Sequence, residues 1–222
     1  MPPHLTLARE MAAAVSGETT SYRHKRETFV WPGQGRTAEC RTDCSGFWNA
    51  LLPKSYPAIT PGVLQSWLKR RRPTASDYYD AIKGHRGFLS CDRIVDLKPG
   101  TFIAIKYEKG SGNTGHTFLV DESPHLISAQ PPTEPDTTQY SVHILDVTST
   151  PHGEGDTRSG TGLGLGYLRI YVNSDGTFAG HCWSMSPKCV YMPMGRRPMA
   201  AGTIDISQIV KLGRKRIWKP KP

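Results

Sequence analysis

A cysteine at the start of a predicted helix is the residue of this chain best suited to chemistry. Cys44 follows Asp43 and precedes Ser45, and a largely apolar run at 47–52 comes directly after it. Asp43 is a typical N-cap, and the apolar positions have helical spacing. Backbone N–H groups left unpaired at a helix start carry partial positive charge and favour a thiolate over a thiol. Cys44 is therefore predicted to be a nucleophile, with a buried structural cysteine as the alternative.

A cysteine nucleophile requires a general base, and His116 is the most suitable of the eight histidines. It lies at the start of a predicted strand at 115–121, which follows a predicted strand at 101–107 and a Gly-rich hairpin. Two strands joined in this way form an antiparallel pair. A later predicted strand at 140–147 carries Asp146. A cysteine on a helix, a histidine on a strand and an aspartate on a later strand satisfy the logic of nucleophile, base and orienting carboxylate.

These motifs resemble those of a known enzyme family. Asp-Cys-Ser-Gly-Phe at 43–47, Leu-Lys-Pro-Gly-Thr-Phe at 97–102 and Gly-His at 115–116 are similar to the motifs of the NlpC-type papain-like cysteine peptidases and amidases. The CHAP amidases are close relatives of that family. Phe-Val-Trp-Pro-Gly at 29–33 resembles the Tyr-x-Trp-Gly-Gly segment that precedes the family's cysteine, with phenylalanine in place of the tyrosine. The resemblance spans roughly residues 28–147.

The resemblance implies a hydrolase that cleaves amide bonds in the stem peptides of peptidoglycan, often the bond between D-glutamate and a diamino acid. It implies Cys44 as the nucleophile and His116 as the general base, with Asp146 offered as the third member. In such a reaction Cys44 attacks the amide carbonyl, His116 takes the thiol proton and later protonates the leaving amine, and water hydrolyses the thioester.

Four further residues are predicted to contact the substrate. By the resemblance, Asp43 and Ser45 help to receive the substrate's amino group, and Trp31 belongs to the segment ahead of the cysteine. Arg158 is a candidate because a guanidinium suits the carboxylates of a stem peptide. A surface salt bridge between Arg158 and Asp156 is the alternative interpretation of that arginine.

Two other functional classes remain open at this point. The chain could be a non-catalytic cell-wall-binding relative that keeps the cleft without the chemistry. It could also be a cysteine deamidase or a transglutaminase-like enzyme that acts on protein amides. Within the hydrolase interpretation, His181 in a later predicted hairpin is the rival of His116 as the base.

The remaining cysteines allow alternative uses. Cys40, Cys182 and Cys189 could supply zinc ligands, but the spacing lacks a paired zinc-knuckle pattern, so neither a metal nor a cofactor is predicted. In an oxidising compartment Cys182 could pair with Cys189, and Cys40 with Cys91. Five free thiols in a reducing compartment fit the sequence equally well.

The formal net charge of +9 over 222 residues raises the question of an anionic partner. Basic residues cluster at 22–26, 69–72 and 196–197, and in the tail at 211–221. Nucleic acid is unlikely, because no nucleic-acid motif accompanies the tail, and carboxylate-rich peptidoglycan is the favoured partner. No apolar stretch is long enough to span a membrane, and no signal peptide is visible. The resemblance favours a periplasmic, secreted or wall-associated protein, and the sequence does not indicate an oligomeric state.

The predicted fold is α+β and papain-like, with N-terminal helices packed on an antiparallel sheet of about five or six strands that begins at Thr101. A Gly-rich segment at 152–166 is predicted to be a flexible loop beside the active site, because it does not lie between a strand and a helix of a βαβ unit. Residues 204–212 are predicted as a weak final element, either strand or short helix. The predicted helices lie near 3–15, 44–53, 61–71 and 76–83. The predicted domains are an N-terminal helical extension at 1–27, a catalytic domain at 28–195 and a basic C-terminal extension at 196–222.

Overall fold

The computed structural model describes residues 1–108 and 110–217, and within them the chain is α+β, with five helices and a large antiparallel sheet of nine strands. The helices are α1 (Pro3–Ala14), α2 (Cys44–Ser55), α3 (Pro61–Leu68), α4 (Ala75–Lys83) and α5 (Ile206–Ile217). The strands are β1 (Thr20–Tyr22), β2 (Thr28–Val30), β3 (Glu39–Thr42), β4 (Phe88–Cys91), β5 (Phe102–Lys106), β6 (Gly115–Val120), β7 (His125–Ile127), β8 (Thr137–Thr148), β9 (Gly162–Asn173), β10 (Phe178–Cys182), β11 (Met192–Pro193) and β12 (Met199–Ile204). Among the described helices, none is long and apolar enough to cross a membrane.

The four predicted N-terminal helices are confirmed as α1 to α4. The starts of α2 and α3 follow from capping side chains: the Asp43 carboxylate accepts a hydrogen bond from the backbone N–H of Gly46 at 2.7 Å, and Thr60 caps α3. Thr74 begins α4 with a capping box. Helix α3 ends earlier than predicted, because Lys69 takes the left-handed conformation with a φ of 61°.

The sheet has the order β11-β10-β9-β8-β6-β5-β12-β4, and β7 pairs with β8. The prediction of five or six strands was wrong in number, because β4, β7, β11 and β12 were missed. Strands β7 and β11 are too short to show a period in the sequence. Strand β12 contains mostly small residues with low strand propensity, although it is an interior strand between β4 and β5.

Both ends of the chain contribute to this single structure. Leu5, Ala8 and Met11 of α1 are fully buried in the helix-side core, and the sheet extends through β12, beyond the boundary predicted at 195. The final element predicted at 204–212 begins as helix α5 directly after β12. The basic tail predicted at 211–221 lies largely outside the residues whose side chains are described.

The Gly-rich segment at 152–166 is not a flexible loop throughout, because residues 162–166 begin β9. They pair with the end of β8 in a register that places Gly164 opposite Asp146. A Cβ atom at Gly164 would lie 2.5 Å from Cγ of Arg158. The glycine therefore lets the Arg158 side chain lie directly on the strand.

A second, three-stranded sheet has the order β1-β3-β2 and leads into the cysteine-bearing helix. Strand β1 runs parallel to β3, with Tyr22 opposite Thr42, and Asp43 and Cys44 follow directly. This pairing holds Tyr22 beside the start of α2.

The main sheet separates two hydrophobic cores. Helices α1 to α4 cover one face, and the second core lies on the other face around Ile103, Phe118 and Ile144. Across the helix-covered face, Nε1 of Trp48 in α2 donates a hydrogen bond to Oγ1 of Thr117 in β6 at 2.6 Å. This buried bond fixes the cysteine-bearing helix against the strand that carries His116.

Replacing Thr117 by valine should destabilise the fold, because the buried N–H of Trp48 would lose its acceptor. The free energy of unfolding, measured by urea denaturation, should fall by about 1–3 kcal/mol. Thr117→Ser retains the hydroxyl and serves as the control. An unchanged free energy of unfolding for Thr117→Val would contradict this role of the hydrogen bond.

Candidate active site

Local backbone geometry positions the cysteine and the histidine. Cys44 is the first residue of α2, next to the N-cap Asp43, and its exposure is 4%. His116 is the second residue of β6 and is 5% exposed. Gly115 has a φ of +144°, and a Cβ atom there would lie 1.9 Å from the carbonyl oxygen of Ile105. Only glycine therefore lets the chain enter β6 at the angle that presents His116.

The structure brings the three predicted catalytic residues together in one site. Cys44 lies close enough to the His116 ring to raise the pKa of that imidazole. Nε2 of His116 donates to Oδ2 of Asp146 at 2.6 Å, which leaves Nδ1 for the cysteine. Asp146 is fully buried on β8, opposite Phe118 of β6. Two neighbouring strands and one helix start thus supply the three groups.

The environment of His116 favours the imidazolium form. Burial alone would lower its pKa, but the negative charge of Cys44 and the hydrogen bonds to Asp146 and Cys44 outweigh burial and raise the pKa to about 9. At neutral pH the His116 ring is therefore cationic.

Asp146 stays ionised although it has no contact with water. Burial would raise its pKa, but the charges of His152 and Arg158 and the hydrogen bonds from His116 and His152 hold the pKa well below its usual range. Arg158 bonds to both the side chain and the backbone carbonyl of Asp146. Nε2 of His152 lies 3.1 Å from Oδ2 of Asp146.

His152 was not identified from the sequence, which gives no signal for it beyond its place in a Gly-rich segment. Its Nδ1 lies 2.7 Å from the carbonyl oxygen of Trp183, and its Nε2 faces Asp146. Both partners accept hydrogen bonds, so each ring nitrogen faces an acceptor. The His152 ring also stacks on Trp183, whose indole meets the His116 ring edge to face. Trp183 therefore fills the space between the two histidines.

Tyr22 is a second residue that sequence reasoning missed. It lines the smaller cavity together with Cys44, and the two side chains interact electrostatically. Burial and the charges of Cys44 and Asp43 raise the pKa of Tyr22 well above its usual range, so the hydroxyl stays protonated and can donate. The pairing of β1 with β3 brings it there, and no local sequence pattern indicates that pairing.

Two cavities lie at the site. The smaller, about 250 Å³, is lined by Cys44, Asp43, Ser45 and the loop at 112–115. The larger, about 360 Å³, is lined by His116 and not by Cys44. Tyr22 and Asn113 line both cavities, so the two volumes adjoin at these two residues.

The four residues predicted to bind substrate have different surroundings. Asp43 and Ser45 line the smaller cavity, where Oδ1 of Asp43 accepts from Ser45 at 3.0 Å. Trp31 instead packs between Phe29 and Phe47, away from the lining of both cavities.

Arg158 does not reach either cavity, and the prediction of a substrate contact for it is wrong. Its side chain is 2% exposed and bonds to Asp146 and Asp156, the latter at 2.6 Å. The predicted ion pair with Asp156 does form, but it is buried rather than on the surface. Arg158 therefore serves as a buried counter-charge.

The alternative base and the other cysteines occupy separate positions. His181 lines the larger cavity, and burial, with the nearby charges of Arg197 and His116, lowers its pKa to about 3, so the ring is neutral. All five cysteines are free. Cys40 and Cys91 belong to the cores on opposite faces of the sheet, which excludes the predicted alternative of a disulfide between them.

The predicted alternative zinc ligands do not come together. In the described part of the chain, the one group with metal-ligand spacing is Asp121, Glu122 and His143. Nε of Arg9 donates to Asp121 at 2.6 Å, so a cation already occupies that carboxylate.

Comparison with known proteins gives one extensive similarity. An uncharacterized protein of Acanthamoeba polyphaga mimivirus is 36% identical to this chain over 225 residues, which covers 92% of this chain and 97% of the viral protein. No family model matches the sequence, and no solved structure matches the fold.

Titration of His116 tests the interaction with the cysteine. The ring resonances in NMR should titrate with a midpoint near pH 9, and Cys44→Ala should lower that midpoint, because the cysteine charge is the largest of the effects that raise it. The folded-state pKa lies above the ordinary 6.5, so this stabilising contribution is complete below pH 6.5 and is lost as the pH rises through about 9. Cys91→Ala removes a remote thiol as the control. A midpoint that is the same with and without Cys44 would argue against the ion pair.

Proposed function

We propose that this chain, which belongs to the same family as the mimivirus protein, is a cysteine hydrolase that cleaves amide bonds with Cys44, His116 and Asp146. The observation that carries the proposal is that His116 bonds to Asp146 and lies next to Cys44, beside two adjoining cavities. We extend the proposal to the fold: a helix-start cysteine facing a strand histidine of an antiparallel sheet is the arrangement expected of a papain-like, NlpC-type enzyme.

The geometry supports a two-step reaction. The Cys44 thiolate attacks the amide carbonyl carbon, and the His116 imidazolium donates its proton to the leaving amine nitrogen as the C–N bond breaks. Neutral His116 then takes a proton from water, whose oxygen attacks the thioester and releases Cys44. Asp146 bonds to Nε2 throughout and so keeps Nδ1 directed at the reacting atoms.

The proposed substrate is the stem peptide of peptidoglycan, cleaved at an amide bond, and the proposed location is periplasmic, secreted or wall-associated. The support is the motif resemblance around Cys44 and the net charge of +9, which would concentrate the protein on a carboxylate-rich polymer. Asp43 and Ser45 line the smaller cavity, where a substrate amino group could bind. Oδ2 of Asp43 also lies 3.1 Å from His24 and 3.6 Å from Arg72, so an ammonium would share that oxygen.

Incubation with isolated peptidoglycan, followed by mass spectrometry of the soluble fraction, tests this function. The unmodified protein should release stem-peptide fragments, and Cys44→Ala should reduce their release to background while remaining folded. Cys91→Ala, which removes a buried thiol remote from His116, should retain the activity. Full release by Cys44→Ala would remove the cysteine from the mechanism. Deamidation of protein glutamine without wall fragments would instead favour the deamidase alternative, and binding to walls without cleavage would favour the non-catalytic one.

We further propose Tyr22 as a donor to the oxyanion of the tetrahedral intermediate. The new bond joins the substrate carbon to the Cys44 sulfur, and Tyr22, whose hydroxyl stays protonated, lines the same cavity as Cys44. The Cys44 backbone N–H, at the start of α2, is the expected second donor.

Tyr22→Phe should therefore lower kcat by roughly 10- to 100-fold with a much smaller change in KM, because the hydroxyl acts mainly in the transition state. Tyr140→Phe, which lines a different cavity, is the matched control and should leave kcat unchanged. A kcat for Tyr22→Phe equal to that of the unmodified protein would exclude the hydroxyl as a donor.

A further inference from the structure

The larger cavity beside His116 has an unbalanced positive charge. Arg197 lies in its wall with neutral donors such as Asn113 and Ser149, and the His116 ring, which also lines it, is already paired with Asp146. None of the described residues that line it is acidic. Asp146, the nearest carboxylate of the site, is fully buried and already paired with cations. The cavity is therefore suited to an anionic group.

Arg197 differs from the other arginines near the site. Arg158 and Arg72 each bond to carboxylates, and the adjacent Arg196 pairs with Glu108 at 3.0 Å. Arg197 makes no ion pair within the described ranges of the chain, and its guanidinium lies 4.2 Å from the centre of the Tyr107 ring. The aromatic ring holds the guanidinium in place without neutralising it.

His181 gives a second and independent indication of a ligand. The residue is 2% exposed, and its Nδ1 is buried with no hydrogen-bond partner among the described residues. An unsatisfied buried polar atom costs free energy, and His181 is one of the residues that line the cavity. The ring is neutral and carries one N–H, which a bound acceptor would satisfy.

We propose that this cavity is a carboxylate-binding subsite, in which Arg197 and His181 bind an anionic group of the substrate next to the scissile amide. The substrate class is an amide whose neighbouring carbon skeleton carries a free carboxylate. A single guanidinium with neutral donors suits one carboxylate, whereas a phosphate dianion requires more positive charge. The choice of the scissile bond rests on the proposed function of Cys44, but the recognition of the anion does not.

Alkylation of Cys44 by two matched reagents tests this subsite without requiring amide hydrolysis. N-(iodoacetyl)glycine carries a carboxylate a few bonds from the reacting carbon, and N-(iodoacetyl)glycinamide is its neutral counterpart. Mass spectrometry assigns the modification rate to Cys44 separately from Cys189, which also lines the cavity. The acid should modify Cys44 faster than the amide, and Arg197→Gln should lower the ratio of the two rates by about tenfold.

The neutral reagent and a neighbouring arginine provide the controls. Arg197→Gln should leave the rate with the amide unchanged, which also shows that the variant is folded. Arg196→Gln removes an equal charge one residue away and should preserve the ratio. An unchanged ratio in Arg197→Gln, an equal loss in Arg196→Gln, or stronger protection of Cys44 by inorganic phosphate than by N-acetylglycine would overturn the carboxylate subsite. None of these results would affect the peptidoglycan assay, so a failure of this inference is separable from a failure of the proposed hydrolase function.

Discussion

The buried carboxylate of Asp146 is the constraint on which the rest of the site depends. A charge without access to water costs several kcal/mol unless cations and hydrogen bonds compensate it. Arg158, His152 and His116 provide that compensation from three directions. The glycines at the start of β9 follow from this requirement, since a Cβ atom at Gly164 would displace Arg158. A segment that reads as a flexible loop is thus a close-packed support for one aspartate.

The charges around this aspartate balance only if the cysteine is counted with them. Three side chains that can be negative face three that can be positive: Cys44, Asp146 and Asp156 against His116, His152 and Arg158. Because His152 and Arg158 hold Asp146 ionised, His116 does not have to neutralise it alone. The positive charge of His116 also interacts with the charge of Cys44, which explains why this buried imidazole has a raised rather than a lowered pKa. The pKa of His116 consequently depends on the side chains behind the ring as well as on Cys44.

A feature of this structure could be predicted from the sequence where the interaction that creates it is local in the chain, and not where it joins distant segments. Cys44 and His116 were identifiable because capping residues and the Gly-His entry into a strand are local signals. The four N-terminal helices were predicted for the same reason. Tyr22 was not, because it reaches the cavity beside Cys44 only through the parallel pairing of β1 with β3. Strand β12 was missed because small residues give it no period, and Arg158 was singled out correctly but assigned to substrate rather than to Asp146.

The two cavities give the proposed cleft a direction. Asp43 and Cys44 line the smaller cavity, Arg197 lines the larger one, and Tyr22 lines both. An extended peptide with an amino group at one end and a carboxylate beyond the scissile bond would match this polarity in one orientation only. In the reverse orientation the ammonium would face Arg197 and the His116 imidazolium, and like charges in a partly desolvated cavity repel strongly. In the proposed hydrolase, the distribution of charge over the two cavities would therefore select how an amide substrate lies across them.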